Sequence, residues 1–172
     1  MRVLAVDPGL TRCGVAVVEG EPGRGADLLH VEVLTTASDE THAKRLLFIA
    51  VGVESLIKRF TPEVVAVETV FCQHNLRTVI GTAQAAGVVM LAAARGGIEV
   101  ATHTPTEVKA AVTGSGRASK DQVANMITKI FRLSAPPRPV DATDACALAL
   151  CHVWRDGMQS RFVQAQQRFL RK

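Results

Sequence analysis

The chain has 172 residues, of which 48% are hydrophobic and 21% are charged, and a chain of this size and composition can bury one substantial core in a single compact domain. No apolar run approaches the length of a membrane-spanning helix, so we do not expect a membrane protein. The first apolar run, which ends at Asp7, is also too short for the hydrophobic region of a secretory signal.

The net charge of the chain is only a weak indication of its partner. It is +4, and many soluble proteins this basic bind no nucleic acid. Its distribution is more informative, because the segment from Arg95 to Arg138 has seven basic and three acidic residues, an excess equal to the net charge of the whole chain. A polyanionic partner would be expected to meet this segment.

The four cysteines, at positions 13, 72, 146 and 151, show neither a CxxC pair nor a regular spacing. Such cysteines suit buried thiols in a reducing compartment better than disulfides or zinc ligands. We therefore expect a cytoplasmic protein.

The first three extended segments predict a β-meander. Val3–Val6 is an apolar run typical of a buried strand, and two β-branched runs follow at Gly14–Glu19 and Val31–Thr35. A Gly- and Pro-rich turn at Glu21–Gly25 separates the second run from the third.

A helix and a fourth strand follow the meander. Between Glu40 and Phe60 the apolar residues recur at helical spacing, and Pro62 lies just past the end. Every residue of Val64–Val67 is apolar, which favours a strand covered on both faces. The helical crossover implies that this strand pairs in parallel with an earlier one.

The next helix, predicted over Thr78–Ala94, is rich in small residues and includes Gly81 and Gly87. It lacks a charged side and should therefore be buried, either against a second copy of the chain or within the monomer. The sequence allows both. The last strand is predicted at Ile98–Ala101.

Two capping boxes, at Thr104–Glu107 and Ser119–Gln122, mark the starts of two further helices. A flexible link at Thr113–Gly116 lies between them. The last helix is predicted from about Asp141 to about Arg155.

These elements together predict an α/β fold with a central mixed five-stranded sheet flanked by helices. Residues 1–156 are expected to form a single domain. Residues 157–172 are polar and rich in Gln and Arg, and we expect a C-terminal tail that is either helical or disordered.

Four acidic residues stand where a solvated surface charge would be unusual. Asp7 and Glu68 each end an apolar strand, and Asp141 and Asp144 open a helix whose following face is apolar. The i, i+3 spacing places the latter two on one side of the helix, whose amino terminus favours their ionised forms. Carboxylates gathered in this way repel one another unless a cation lies among them. Oxygen ligands without a thiolate or a His cluster favour Mg²⁺ or Mn²⁺ over zinc.

Two divalent ions held by such carboxylates can activate a water and stabilise the leaving oxygen of a phosphodiester, which is the two-metal route to nuclease chemistry. The ordinary alternative is that Asp7 and Glu68 cap loops and that Asp141 and Asp144 are first-turn helix residues. Their joint occurrence favours the metal site.

Four segments resemble, in order, the motifs of the RuvC resolvase family. They are DPGLTRCG at 7–14, ETVF at 68–71, KAAVTG at 109–114 with Lys120 beyond it, and DATDA at 141–145. The resemblance covers nearly the whole chain, although Cys146 stands where the family commonly has another small or aliphatic residue.

The resemblance implies a ribonuclease H-like fold and a homodimer that makes paired, symmetric nicks in strands of like polarity at a four-way (Holliday) junction, in recombination and repair. It implies that Asp7, Glu68, Asp141 and Asp144 are the catalytic residues and metal ligands. Mg²⁺, with two ions per active site and Mn²⁺ as a substitute, would be the cofactor. The RuvA–RuvB branch-migration complex would be a further partner.

Five residues outside the acidic set are candidate DNA contacts. Phe71 lies beside a polar segment and could stack on an unpaired base, although a core Phe that anchors the loop is the alternative. Lys109 and Lys120 flank the glycine link and could reach phosphates, with Arg77 and Arg117 as helpers. Solvated basic side chains are the alternative for these four.

Two histidines have less specific interpretations. His152 lies eight residues after Asp144, too far along the helix to share a metal with it, so a buried, hydrogen-bonded His is expected. His74, in the predicted DNA-facing loop, is as compatible with an exposed side chain as with a phosphate contact.

Other functions were weighed against junction cleavage. Asp7-x-Gly9-x4-Gly14 also resembles the phosphate loop of actin-like ATPases and sugar kinases, but those folds need far longer chains. A noncatalytic junction binder is disfavoured by the intact acidic set. A ribonuclease H-like nuclease acting on another nucleic acid, such as an RNA:DNA hybrid, is compatible with the acidic residues and is the main alternative.

Overall fold

The computed structural model describes residues 1–21, 25–69 and 76–169, except for the side chains of 76–78 and 156–169. The strands and helices, in chain order, are β1 Arg2–Asp7, β2 Arg12–Gly20, β3 Ala26–Thr35, α1 His42–Phe60, β4 Val64–Glu68, α2 Leu76–Arg95, β5 Glu99–His103, α3 Pro105–Thr113, α4 Lys120–Ile130 and α5 Val140–Phe169. In the part of the chain so described, no helix combines the length and apolarity needed to cross a membrane.

The five strands form one mixed sheet in the order β3-β2-β1-β4-β5. β1 pairs antiparallel with β2 and β2 with β3, which is the predicted meander. β4 pairs in parallel with both β1 and β5, as helical crossovers require. The predicted mixed five-stranded α/β fold is therefore confirmed.

The sheet separates two hydrophobic cores, because alternate residues of each strand point to opposite faces. In β1, Val3 and Ala5 contribute to the core shared with α3, α4 and α5. Leu4 and Val6 contribute to the core shared with α1 and α2. All four side chains are fully buried, and burial of a Val or Leu side chain contributes about 1.5–3 kcal/mol.

The helix starts follow the predicted capping chemistry. The Thr104 side chain accepts a hydrogen bond from the Glu107 amide while the Glu107 carboxylate accepts one from the Thr104 amide, and Ser119 and Gln122 form the same reciprocal pair. α3 ends at Gly114, whose φ of 79° is in the left-handed region that glycine adopts without strain. The link between α3 and α4 is thereby set by local sequence.

Two element boundaries differ from the sequence prediction by more than two residues. β3 begins at Ala26 rather than Val31, because its first half pairs with β2 although Asp27 and Leu29 are exposed at the sheet edge. α5 continues past Arg155 to Phe169. The backbone of residues 157–169 is thus helical, and the domain boundary at 156 stays a prediction.

Candidate active site

Asp7 and Glu68 lie side by side at one end of the sheet. They are the last residues of β1 and β4, one residue beyond the paired Val6 and Val67. Strand alternation directs them towards α5, because Ala5 and Ala66, two residues earlier, contact the core on that face. Two apolar strands therefore each present a carboxylate at the same edge.

The start of α5 brings Asp141 and Asp144 to this edge. A Cβ atom on Gly14 of β2 would lie 2.1 Å from the Asp141 carbonyl oxygen, so only glycine lets the helix approach so closely. The Thr143 hydroxyl donates to the Pro137 carbonyl at 2.7 Å and fixes the first turn. Both carboxylates are partly buried.

The electrostatics show that the four carboxylates interact. Burial, followed by repulsion from Glu68, Asp144 and Asp141, raises the pKa of Asp7 from its ordinary 3.8 to about 8. Burial and repulsion from Asp144 also raise the pKa of Glu68, against which a hydrogen bond with Asp7 acts. Negative charge is therefore concentrated here beyond what the protein itself neutralises.

Three basic residues approach the four carboxylates. The Lys120 Nζ lies 3.1 Å from Asp144 Oδ2, and the Arg12 Nε lies 3.1 Å from Asp141 Oδ2. The positive charge of Lys109 acts against the rise in the pKa of Glu68. Lys109 and Lys120, predicted from the sequence as phosphate contacts, are thus beside the acidic residues.

The donor chemistry fits a hard divalent cation, because every acidic group is an oxygen donor and Asp7 is strongly repelled by its neighbours. Across the described residues, however, no three His, Cys, Asp or Glu side chains are grouped so that they could hold one ion as they stand. Lys120 and Arg12 engage Asp144 and Asp141 in this arrangement. Metal binding would require the four carboxylates to move closer together.

Of the other predicted DNA contacts, only Arg117 has a side chain among the described residues. Arg117 is exposed on the link between α3 and α4, where it lines a cavity of about 500 Å³ with Ser115 and Gln122. Arg77 lies in α2, but its side chain is outside the described residues. Phe71 and His74 are also outside them.

His152 is buried and hydrogen-bonded, as predicted. Its Nδ1 lies 3.0 Å from Nε2 of His103, the last residue of β5 and the register partner of Glu68. His103 was not anticipated, because it ends a short, weakly patterned strand and its partner is 49 residues away.

Arg12 was also missed. An exposed arginine carries no signal of its own, but it shares strand parity with Gly14, and both face the start of α5. Recognising that Gly14 marks a close helix approach would have placed Arg12 next to Asp141.

The thiols are consistent with a structural role. Cys13, Cys146 and Cys151 are free and buried, and burial raises their pKa values to about 12, 12 and 11, so they are poor nucleophiles near neutral pH. Cys72 lies outside the described residues.

A mixed five-stranded sheet in this order, flanked by helices and with acidic residues at the ends of two adjacent strands, defines an α/β protein of the ribonuclease H-like class. Residues 3–152 match the family described as crossover junction endodeoxyribonuclease RuvC. The chain therefore belongs to the RuvC family of crossover junction endodeoxyribonucleases and is a nuclease.

Individual relatives agree with this assignment. The chain is 60% identical to the crossover junction endodeoxyribonuclease RuvC of Streptomyces avermitilis, covering 96% of this chain and 94% of the relative. It is 58% identical to that of Salinispora arenicola, covering 98% and 96%. The structure of Thermus thermophilus RuvC in complex with a Holliday junction substrate superposes with a TM-score of 0.88 at 37% identity, covering 92% of this chain and 96% of that one.

Proposed function

We propose that this chain resolves four-way DNA junctions, in recombination and repair, by metal-dependent hydrolysis at Asp7, Glu68, Asp141 and Asp144. The observation that carries the proposal is that the ends of two paired strands and the first turn of α5 bring these four carboxylates together at one edge of the sheet, where Asp7 interacts with the other three. A site that concentrates negative charge at the edge of a nuclease fold favours a divalent cation over a bare phosphate.

We propose Mg²⁺, with two ions per site and Mn²⁺ as a substitute, as the cofactor held by the four carboxylates. When bound, such ions lower the pKa of a coordinated water and stabilise the leaving oxygen of a phosphodiester. The protein's own residues supply the rest. Asp7 and Glu68 are fixed by the two paired strands, and Asp141 and Asp144 by the first turn of α5.

Lys120 and Lys109 are proposed to bind the backbone of the cleaved strand. Lys120 already contacts Asp144, and Lys109 is near enough to Glu68 for its positive charge to oppose the rise in the Glu68 pKa. A lysine that leaves a carboxylate when a metal arrives becomes available to a phosphate. Phe71, Arg77 and Arg117 are proposed as further DNA contacts.

We propose a homodimer as the active form, because two matched nicks in strands of like polarity require two active sites related by symmetry. Six of the eight large apolar side chains that are exposed among the described residues lie on α1 and α2. These six form the α1–α2 apolar surface: Leu47, Phe48, Val51, Ile80, Met90 and Leu91. The RuvA–RuvB branch-migration complex is the proposed partner that delivers the junction.

The test is a cleavage assay on a synthetic four-way junction, a matched linear duplex and an RNA:DNA hybrid, each with Mg²⁺ or EDTA. We expect paired, Mg²⁺-dependent nicks only at the junction. Asp7→Asn and Glu68→Gln should lose about a thousandfold or more in rate, in the range of losing a group on which catalysis depends, while still binding the junction.

Asp27→Asn provides the matched control, since Asp27 is an exposed carboxylate on β3 away from the site. It should cleave like the wild type. Cleavage of the hybrid in place of the junction would make the chain a nuclease for another nucleic acid. Full activity in Asp7→Asn would remove the acidic residues from the mechanism.

A further inference from the structure

Basic residues approach the first turn of α5 from two different elements. Lys120, the first residue of α4, contacts Asp144, and Arg12, the first residue of β2, contacts Asp141. Asp141 and Asp144 are three residues apart on one face of the helix, so each of these neighbouring carboxylates has its own basic partner. Lys120 belongs to the basic segment recognised in the sequence, but Arg12 does not.

The position of Arg12 is rigidly determined. The preceding turn is held by Thr36, whose hydroxyl donates to the Leu10 carbonyl at 2.6 Å and whose amide donates to the Thr11 carbonyl at 3.0 Å. Arg45 of α1 donates to both the Thr36 and Thr11 hydroxyls, at 2.8 and 2.7 Å. The backbone that carries Arg12 is therefore braced from two neighbouring elements.

The side chain of Arg12 is held but not enclosed. Its Nε is 3.1 Å from Asp141, yet the side chain remains 60% exposed. A guanidinium has five N–H donors in a planar fork, more than one carboxylate oxygen accepts, and it stays charged at all relevant pH values. It can thus hold Asp141 and a second anion together.

An open groove lies beside Arg12. It has a volume of about 500 Å³ and lies between the turn at 9–12, Gly81 and Thr82 of α2, and Asp141. Asp141 is part of its lining, whereas Lys120 and Asp144 are not. A nucleic acid strand that places one phosphate over the carboxylates must carry its next phosphates over the flanks, where the same carboxylates repel them. A cation on each flank offsets that repulsion.

We propose that Arg12 is a phosphate-binding residue, which holds Asp141 through Nε and binds with its remaining donors the phosphate next to the scissile one, on the side of the site where Asp141 lines the groove. This proposal rests on the proposed function, because it assumes that the cleaved strand crosses the four carboxylates. The ligand is a backbone phosphate of the nucleic acid, so the contact is independent of base sequence.

The test is a scan with methylphosphonates, in which one phosphate at a time near the cleavage position is replaced by an uncharged analogue. Junction binding is measured in EDTA, so that binding is read separately from cleavage. In the wild type, neutralising the phosphate on the Arg12 flank should weaken binding about tenfold, the effect of one charge-assisted hydrogen-bonding contact. In Arg12→Ala the same replacement should have no further effect.

A second readout is the dependence of affinity on salt. The slope of log K against log salt concentration should be smaller in Arg12→Ala than in the wild type by about 1, the contribution of one phosphate contact. Arg12→Gln repeats both measurements with a longer neutral side chain, in case the alanine variant is poorly folded. The matched control is Arg95→Ala, because Arg95 is 66% exposed and pairs with a carboxylate, Glu54, at the far end of α2.

The outcomes separate the two proposals. An interference profile in Arg12→Ala and Arg12→Gln identical to that of the wild type would overturn the phosphate contact, even if the wild type nicks junctions as expected. If the wild type nicks no junction, but the interference at one phosphate is lost in both Arg12 variants, the proposed function fails and the contact stands. Loss of interference in Arg95→Ala as well would also overturn the phosphate contact, because the loss would then reflect the overall charge of the protein and not the position of Arg12.

Discussion

The environment of Asp7 in the folded protein disfavours ionisation of its carboxyl group. Its pKa rises from 3.8 to about 8 because of burial and three neighbouring carboxylates. The folded state therefore keeps a proton that the unfolded state releases as the pH rises above about 4. The contribution of Asp7 to stability is complete below that pH and is lost as the pH approaches 8.

Asp7→Asn should accordingly stabilise the metal-free protein at pH 8, since an amide has the shape of the carboxylic acid but cannot ionise. We expect a gain on the order of 0.5–2 kcal/mol, the range for relieving a destabilised site, and little change at pH 4.5. Thermal unfolding in EDTA from pH 4.5 to 8.5 would measure it. Added Mg²⁺ should then raise the melting temperature of the wild type more than that of the variant.

Asp27→Asn is again the control for loss of one negative charge, and it should not alter the pH dependence. A lower melting temperature for Asp7→Asn than for the wild type at pH 8 in EDTA would mean that the Asp7 carboxylate stabilises the fold. The description of a site of concentrated negative charge would then be wrong.

Between elements, the hydrogen bond between His103 and His152 ties the end of β5 to α5. The carbonyl of His103 also accepts the Thr69 amide at 2.8 Å, immediately after Glu68. His103 thus holds the backbone just after Glu68 and connects it to α5, the helix that carries Asp141 and Asp144. His152→Ala should reduce the free energy of unfolding by about 2–3 kcal/mol, from a lost buried hydrogen bond and a cavity.

Urea unfolding would measure this loss, with an unchanged m-value as the sign that the compactness of the two states is unaffected. The matched control is His42→Ala, in which an exposed hydrogen bond of 2.6 Å to Gln84 is removed. An exposed change of this kind should cost no more than about 0.5 kcal/mol. Equal losses in the two variants would contradict the connecting role of His152.

The elements that could be predicted from the sequence are those whose signal is local. The buried strand at Val3–Val6 and the capping boxes at Thr104 and Ser119 depend on residues within a few positions of one another. Asp7 and Glu68 could be singled out because each ends an apolar run.

The interactions that could not be predicted are those made between distant segments. The pairs Arg12 with Asp141, Lys120 with Asp144 and His103 with His152 depend on how helices lie across the sheet. The first half of β3 was missed because residues 26–30 show no strict alternation of apolar and polar side chains, and the strand there is formed by pairing with β2. Tertiary contacts decide these features, and no local pattern encodes them.

In the molecule as a whole, the candidate active site and most of the exposed large apolar side chains of the described residues lie on different faces of the sheet. Asp7 and Glu68 face α5, which carries Asp141 and Asp144, whereas the α1–α2 apolar surface lies on the helices that cover the opposite face of the sheet. An exposed apolar surface of this kind is typical of an interface. The Phe48 side chain is 52% exposed within it.

Phe48→Glu should therefore dissociate the proposed dimer while the fold is retained, because the buried charge would have no partner in the interface. Sedimentation equilibrium would report the mass, with Leu29→Glu on β3 as the control, since Leu29 is an exposed apolar residue outside this surface. The monomeric variant keeps all four carboxylates. It should still make single Mg²⁺-dependent nicks, but the two nicks at one junction should become independent, so that singly nicked products accumulate. A monomeric variant that still makes concerted paired nicks would show that pairing does not depend on the dimer, and a variant that stays dimeric would move the interface away from α1 and α2.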